Sequence, residues 1–574
     1  MSALADATPG AAVVPLAEPV RAWRGDLGPL VVAVLATLAV WAPRLSGPID
    51  LRYDAGVYYV LGTSLAEGRG YRLLNEPGEI EAIQYPPLLP LVVAAHQKML
   101  GTSDPVVVGS WLRKSFCGLS AALALATYAV ARLYLDRAAA LLAALVSSLS
   151  LYTYFLSDLL FAELPFTLAS ALFILACRST GRFAAPLAGL LAVSGYLLRS
   201  AGLALLAAWV GEAILRRRLR QAALRGMVAL APVVLWHAHV QRVVSSPSYG
   251  NPAYAYQRAP YQYYNVSYAE NAVLVDPFRP EQGRAALREL PSRTIRNARA
   301  LAPRLGEIVS APRNFWTIAL RGLAPLVGAS RVPWRLTVAC LVLLGLGATL
   351  GIASLARGGE ILVPLYVAAS LALVALTPWP AQFLRYVAPL APFLAVGLLR
   401  AVVDGLRWLD GCGTRLRLAG RLGVGVAGVS LAALQAFTLH QNFRRYHVEV
   451  RYASRTGVGS TGRLLYYDEA WREFDAALAW LNRDAGPGDV VATSAPHWTH
   501  LRTGLKAVMP PFEPETGTAQ RLLDSVPARY LVVDDLAFAD MSRHYGASVA
   551  RARPDLWTPV YSGEGGLRIY RRAD

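Results

Sequence analysis

The sequence predicts an α-helical polytopic membrane protein with about 11 transmembrane helices and a small C-terminal α/β domain outside the membrane. Three observations predict this fold class. The 574-residue chain is 55% hydrophobic and only 16% charged, which is unusual for a soluble globular protein. Several windows reach the roughly 17–25 apolar residues that cross a bilayer. From residue 441 the composition changes, and DVVATS and RYLVVDD have the pattern of strands separated by helical segments.

The apolar runs divide the first 440 residues into spans and loops. Residues 1–26 contain no cleavable signal pattern, so we expect a cytoplasmic tail followed by a retained first span. The segment from Asp54 to Gly68 has an amphipathic pattern, and the apolar region 86–100 is short and interrupted by prolines. Both features favour interfacial helices in the first external loop. The predicted spans are 27–45, 111–133, 138–156, 160–177, 184–198, 201–215, 226–243, 334–356, 361–377, 386–403 and 422–440.

Arginine placement predicts the orientation. With the N-terminus in the cytoplasm, the basic connections, including RRRLRQAALR at 216–225, all lie on the cytoplasmic side. Three regions then lie outside the membrane: loop 46–110, loop 244–333 and the domain 441–574. Only three of the 56 basic residues are lysines, and alanine is abundant, which is typical of GC-rich bacterial genomes. We therefore expect a multi-pass protein of the bacterial plasma (inner) membrane.

Composition also argues against several other kinds of partner. The net charge of +18 is explained by positive cytoplasmic loops, so it does not indicate a nucleic-acid partner. His497 and His500 are three residues apart without a third ligand nearby, which argues against a metal site. Four cysteines lie in or beside apolar runs without metal spacing, which argues against zinc and a disulfide framework: Cys117, Cys177, Cys340 and Cys412.

Ionisable residues collect at the outer ends of the predicted spans. Such residues are costly at membrane depth, so they usually face a cavity, a partner or a bound ion. A carboxylate can take a proton from an incoming hydroxyl, and an arginine can hold a departing phosphate. Each residue also has a structural explanation, because aspartates cap helices and arginines extend towards headgroups. The five residues are Asp54, Asp158, Glu163, Arg199 and Arg385.

Four segments resemble GT-C glycosyltransferases, in particular bacterial relatives of protein O-mannosyltransferases and aminoarabinose transferases (families 39 and 83). DAGVYYVLGTSLAEGRGY, from Asp54, and the following YPPLLPLVV are similar to the first external loop of that superfamily. AELPF, SGYLLRSAGLALL and FLRYVAPLAPFLAVG resemble three further elements in the expected order. Two positions depart from the family pattern: Tyr85 replaces the lysine of aminoarabinose transferases, and Ser200 replaces a proline.

The resemblance implies a polyprenyl-phosphate sugar donor and transfer to a hydroxyl, with inversion, on the outer face. It implies Asp54 as general base, Glu163 or Asp158 as a second catalytic acidic residue, and Arg385 with Arg199 at the donor phosphate. The acceptor is a lipid, a protein or a polysaccharide. Some GT-C enzymes use a divalent cation such as Mg²⁺ or Mn²⁺, and the sequence leaves this open. The sugar, a hexose or a pentose, is also left open.

Aromatic residues are candidates for substrate binding. Tyrosines can stack on sugars and bond their hydroxyls, although they also favour membrane interfaces. One loop, YGNPAYAYQRAPYQYYNVSYAEN, is unusually rich in them. The candidates are Tyr53, Tyr58, Tyr85, Tyr263, Tyr264 and Tyr386.

The main alternative is a transporter or flippase of lipid-linked sugars. It predicts short external loops, ionisable residues near mid-span and two similar halves. The long first loop, the charges at the outer ends and the absence of a detectable repeat favour a transferase. A non-catalytic envelope assembly protein would not need five charged groups around one cavity.

Overall fold

The computed structural model describes residues 25–573 except 259, 263, 324–332, 411–413, 454–458 and 538–539. Every predicted span coincides with one or two α-helices. The helices before the C-terminal region are α1 (Leu27–Trp41), α2 (Asp54–Ala66), α3 (Leu88–Leu100), α4 (Pro105–Arg132), α5 (Arg137–Ser148), α6 (Leu151–Asp158), α7 (Glu163–Arg178), α8 (Ala184–Leu198), α9 (Leu203–Leu215), α10 (Leu219–Val244), α11 (Pro247–Gly250), α12 (Tyr268–Ala272), α13 (Leu290–Ile308), α14 (Arg313–Leu323), α15 (Trp334–Arg357), α16 (Leu362–Leu376), α17 (Phe383–Val387), α18 (Ala391–Asp410) and α19 (Thr414–Tyr446).

Within the described residues, six helical segments are long and apolar enough to cross a membrane. A seventh membrane-spanning segment arises if α5 and α6, which meet at 51°, form one bent span. The remaining predicted spans are shorter helices, so the number of about 11 stays a prediction. The six segments are Leu27–Arg44, Pro105–Arg132, Leu219–Val244, Trp334–Arg357, Pro380–Asp410 and Thr414–Tyr446.

The first external loop folds into two packed helices. The apolar region 86–100 forms α3, as predicted, and Gly62 of α2 lies against Val93 of α3, where an added Cβ would approach the valine Cβ to 2.6 Å. The amphipathic character expected of α2 is wrong: residues 55–62 are all buried. The side of α2 that would face water is covered by protein, which holds the start of this helix in a fixed place.

The C-terminal region contains the predicted sheet. It begins with a β-hairpin directly after α19, and a five-stranded sheet of order β4-β3-β5-β7-β6 follows. Strand β3 runs parallel to β4 and β5, whereas β7 is antiparallel to β5 and β6. The elements are β1 (His447–Ala453), β2 (Gly459–Leu465), α20 (Glu469–Asp484), β3 (Val490–Ala492), α21 (Pro496–Thr503), β4 (Lys506–Val508), α22 (Thr516–Asp524), β5 (Ala528–Val533), α23 (Ala547–Ala552), β6 (Trp557–Ser562) and β7 (Arg568–Arg572).

The C-terminal sheet attaches to loop 46–110 through one backbone hydrogen bond and two bonds with side-chain donors. The amide of Ala507 in β4 donates to the carbonyl of Asn75 at 2.8 Å, and the Asn75 side chain donates to the Ala507 carbonyl at 3.1 Å. Next to them, the Lys506 ammonium donates to the carbonyl of Leu74 at 2.6 Å. These contacts place the C-terminal region over the helices that carry the candidate site.

Candidate active site

A cavity of about 320 Å³ lies between loop 46–110, the adjoining helix ends and the C-terminal region. Three charged side chains line it: Asp54, Arg199 and Arg385. Seven tyrosines and three phenylalanines are among the 22 described residues that line it, so much of its wall is aromatic. An aromatic wall with a few charged groups suits a ligand that has both apolar faces and a charged end.

Asp54 is the first residue of α2, but it does not cap the helix. The capping position is Tyr53, and its side chain makes no capping hydrogen bond. The Asp54 carboxylate instead accepts from Arg385 Nη1 at 2.7 Å and from the Tyr264 hydroxyl at 3.3 Å. The capping explanation for Asp54 is therefore wrong, because its carboxylate points into the cavity.

Glu163 lies behind the two arginines. Its Oε1 is 2.5 Å from Arg385 Nε and 2.5 Å from Arg199 Nη1. The carboxylate is buried at 2% exposure, and it contacts the cavity only through these arginines. Together with Asp54, two carboxylates and two guanidinium groups form a connected cluster with no formal net charge. Each charge has an opposite partner, so no member of the cluster is left as an uncompensated buried charge.

Breaks between helices bring these side chains together. Glu163 begins α7, and Arg199 has extended backbone between α8 and α9. Arg385 lies in the short helix α17, and its guanidinium stacks over the Phe161 ring at 4.1 Å. Arg199 is only 13% exposed, so extension towards lipid headgroups does not explain it.

Asp158 lies outside this cluster. It is the last residue of α6, not the first residue of a helix, so the capping explanation is wrong for it as well. Its carboxylate is 3.6 Å from Arg44 and 3.7 Å from Arg113, in a second buried group of charges. The cavity lining does not include Asp158.

Five of the six predicted tyrosines line the cavity: Tyr53, Tyr58, Tyr85, Tyr264 and Tyr386. The sixth, Tyr263, lies outside the described residues. Four further residues line the cavity and were not predicted from the sequence: Tyr152, Tyr268, Met509 and Met541. Tyr268 belongs to the tyrosine-rich loop and could have been selected there. The two methionines come from the C-terminal region, and no sequence pattern marks them.

The carboxylates of this cluster are already paired with arginines. Asp54 and Glu163 both accept from the cationic Arg385, so they do not offer a divalent cation two uncompensated carboxylates. No group of three or more His, Cys, Asp or Glu side chains with metal-binding geometry occurs in the described ranges. His497 is buried and its ring packs on Tyr264.

No family model and no curated protein matches the chain. Two solved structures of the Archaeoglobus fulgidus oligosaccharyltransferase are similar to it. AglB in complex with an inhibitory peptide and a dolichol-phosphate has a TM-score of 0.52 and 14% identity, over 96% of this chain and 74% of that chain. The complex with Zn and sulfate has a TM-score of 0.51 and 14% identity, over 95% and 73%.

A bacterial structure is also similar. ArnT from Cupriavidus metallidurans bound to undecaprenyl phosphate has a TM-score of 0.49 and 13% identity, over 95% of this chain and 98% of that chain. At such identities the comparisons report on the fold. The AglB structures share it over nearly the whole of this chain.

Proposed function

We propose that this chain, which has the fold of the GT-C membrane glycosyltransferases, transfers a sugar from a polyprenyl-phosphate donor to a hydroxyl acceptor. The observation that carries the proposal is the Asp54–Arg385–Glu163 arrangement beside Arg199 in an aromatic cavity. The sugar is a hexose or a pentose, and transfer takes place on the outer face of the plasma membrane. In this proposal residues 441–574 form the extracytoplasmic domain and residues 1–26 are cytoplasmic.

The two arginines bind the donor phosphate. A guanidinium has five N–H donors, and the carboxylate bonds of Arg385 use Nε and Nη1. Its other N–H groups, together with Arg199, remain to bond phosphate oxygens. Charge-assisted bonds of this kind stabilise the negative charge that grows on the phosphate as the sugar leaves.

Asp54 activates the acceptor. Its carboxylate takes the proton of the acceptor hydroxyl while the hydroxyl oxygen attacks the anomeric carbon. The bond between that carbon and the phosphate oxygen breaks, and the oxygen keeps the electron pair. Because attack comes from the face opposite the phosphate, the anomeric configuration inverts. Arg385 links the two events, since it contacts Asp54 and lies where the phosphate binds.

Glu163 is the second acidic residue in this proposal, and it acts by positioning. It contacts both arginines and reaches the cavity only through them. Asp158 is proposed to be structural, because its partners are Arg44 and Arg113 outside the cavity.

The cavity wall and one comparison support this substrate class. Tyrosines on several sides provide rings that stack on a sugar and hydroxyls that bond it. The similar AglB structure is a complex with an inhibitory peptide and a dolichol-phosphate, so the shared fold accommodates a lipid phosphate and a peptide in that protein. The acceptor class here stays open between lipid, protein and polysaccharide.

The test is transfer of labelled sugars from a panel of polyprenyl-phosphate donors in membranes with and without the protein. We expect one donor sugar to become linked to a membrane or envelope acceptor only when the protein is present. If no donor supports transfer but the donors change leaflet, the proposal is wrong and the chain is a transporter. The leaflet is read from access of a membrane-impermeant sugar oxidant.

A further inference from the structure

We propose that Arg52 is a positioning residue that couples the C-terminal β-hairpin to Asp54, two residues further along the chain. The inference rests on the proposed function for its catalytic consequence. Arg52 is completely buried and does not line the cavity. Its Nη2 donates to the carbonyl of Leu465 at 2.7 Å, and its Nη1 donates to that of Tyr466 at 3.1 Å. Both carbonyls belong to the end of the hairpin.

The edge of the Arg52 guanidinium formed by Nε and Nη2 binds Asp50. Nε donates to Asp50 Oδ1 at 3.0 Å and Nη2 donates to Oδ2 at 2.7 Å, so the pair is bidentate. The backbone of Asp50 is itself fixed: its carbonyl accepts from Leu160 at 3.1 Å, and its amide donates to Asp158 at 3.2 Å. This short bridge ties the Arg52 segment to the strand-like segment that leads directly into Glu163. Arg52 therefore joins the hairpin to both halves of the charged cluster.

The residue between Arg52 and Asp54 adopts an unusual backbone conformation. Tyr53 has φ 59° and ψ −141°, a backbone region that residues other than glycine rarely occupy. Its ring meets the Trp471 ring edge-on at 5.7 Å, and the Arg52 guanidinium lies over the same indole at 4.9 Å. Contacts with α20 thus hold Tyr53 in a turn that determines where Asp54 points. A strained conformation persists only where the surroundings hold it.

The other side of Asp54 also contacts the C-terminal region. At Gly56 an added Cβ would lie 2.9 Å from the Cβ of His497 in α21, so only glycine allows this approach. The His497 ring packs edge-on against Tyr264 at 4.8 Å, and Tyr264 donates to Asp54. The C-terminal region therefore contacts the chain before Asp54, after Asp54 and at its hydrogen-bond donor.

Displacement of a catalytic group by about 1 Å can cost about 100-fold in rate. Because Arg52 is outside the cavity, its loss should change the placement of Asp54 and leave the donor phosphate site intact. The expected signature is a lower kcat with an unchanged KM for the donor. A general loss of folded protein would instead lower the amount of active enzyme and leave both constants unchanged.

The experiment compares Arg52→Gln and Arg52→Lys with the matched control Arg553→Gln. Arg553 forms an ion pair with Asp555 in the same region, but both side chains are exposed. Steady-state transfer is measured per folded, membrane-inserted molecule, with wild type and Asp54→Asn in the same assay. We expect kcat to fall about 100-fold in Arg52→Gln and less in Arg52→Lys, with the donor KM within about two-fold. Arg553→Gln should match wild type.

Hydrogen–deuterium exchange gives a second readout that does not depend on activity. The amides of Ala55 and Gly56 donate to the carbonyls of Arg52 and Tyr53, so their exchange reports on this segment. We expect exchange at both to be at least about ten-fold faster in Arg52→Gln and unchanged in Arg553→Gln.

A third variant covers the case in which Arg52→Gln does not fold. Gly56→Ala should separate α2 from α21 and lower kcat with an unchanged donor KM. Unchanged exchange at Ala55 and Gly56 in Arg52→Gln, or unchanged kcat in both Arg52→Gln and Gly56→Ala, would overturn the inference. Where Arg52→Gln does not fold, Arg52→Lys takes its place in both comparisons. If wild type transfers no sugar, the proposed function fails, and the exchange experiment alone decides whether Arg52 holds this segment.

Discussion

Replacement of Arg385 by lysine or glutamine tests whether this side chain holds the donor phosphate. Arg385 bonds Asp54 at 2.7 Å and Glu163 at 2.5 Å, and its remaining N–H groups face the cavity that Arg199 also lines. Lysine keeps the charge but is a single point donor, so it cannot bond both carboxylates and a phosphate in the same geometry. Glutamine removes the charge and changes the formal charge of the cluster from zero to −1.

The magnitude follows from the bonds that are lost. A hydrogen bond to a charged group contributes about 1.5–3 kcal/mol, and about 1.4 kcal/mol is a factor of ten. Loss of one phosphate bond in Arg385→Lys should therefore raise the donor KM about 10- to 100-fold. In Arg385→Gln a second bond is lost and the remaining carboxylates repel the phosphate, so we expect an increase of at least about 100-fold.

The assay is steady-state transfer with a titrated labelled donor, normalised to inserted protein. Arg400→Gln is the matched control, because Arg400 pairs with Asp404 in α18 and does not line the cavity. A donor KM in Arg385→Gln equal to that of wild type and of the control would refute the assignment of Arg385 to the phosphate.

Four further variants test other residues of the site and of its surroundings. Tyr264→Phe removes a 3.3 Å bond to Asp54, and kinetic assays should show kcat lowered about 3- to 10-fold with an unchanged donor KM; no change would contradict a positioning role. Glu163→Gln should lower kcat per folded molecule at least about 100-fold. Asp158→Asn should lower only the yield of folded protein. The reverse pattern would make Asp158 the positioning residue and Glu163 the structural one. Burial raises the pKa of Glu76 from 4.5 to about 7, so the folded state binds this proton more tightly and stability falls as the pH rises between those values. Glu76→Gln should remove that loss of stability, which is roughly 3 kcal/mol. In thermal unfolding in detergent, the variant should be more stable than wild type at pH 8 but not at pH 4. Equal stability of the two proteins at pH 8 would contradict the raised pKa of Glu76.

The positions of the helices could be predicted from the sequence, because apolar runs depend on local composition; the side of the membrane that carries the charges stays a prediction. Asp54, Glu163, Arg199 and Arg385 were expected around one cavity, and the structure joins these four side chains in one cluster. The hydrogen-bond and ion-pair partners of these side chains could not be predicted in this way, because tertiary packing determines them. Arg385 and Asp54 are 331 residues apart, and no local pattern links them.

Segments whose environment is set by tertiary packing were predicted less well. The helix α2 was expected to be amphipathic, but the C-terminal region covers it, so its small and polar residues are buried. Asp158 precedes an apolar run, which suggested a helix start, yet the chain breaks after it and α7 begins only at Glu163. Met509 and Met541 reach the cavity from loops of the C-terminal region, where no periodicity indicates their direction.

The most direct measurement compares sugar transfer by wild type and by Asp54→Asn, together with donor binding by both. Asparagine keeps the size of the side chain and can still accept from Tyr264, but it cannot take a proton from the acceptor. General-base catalysis contributes about 100- to 10,000-fold to the rate, so we expect the rate of transfer to fall by that order in a normally inserted variant that still binds donor. Equal transfer by the two proteins would contradict the central claim that Asp54 activates the acceptor hydroxyl.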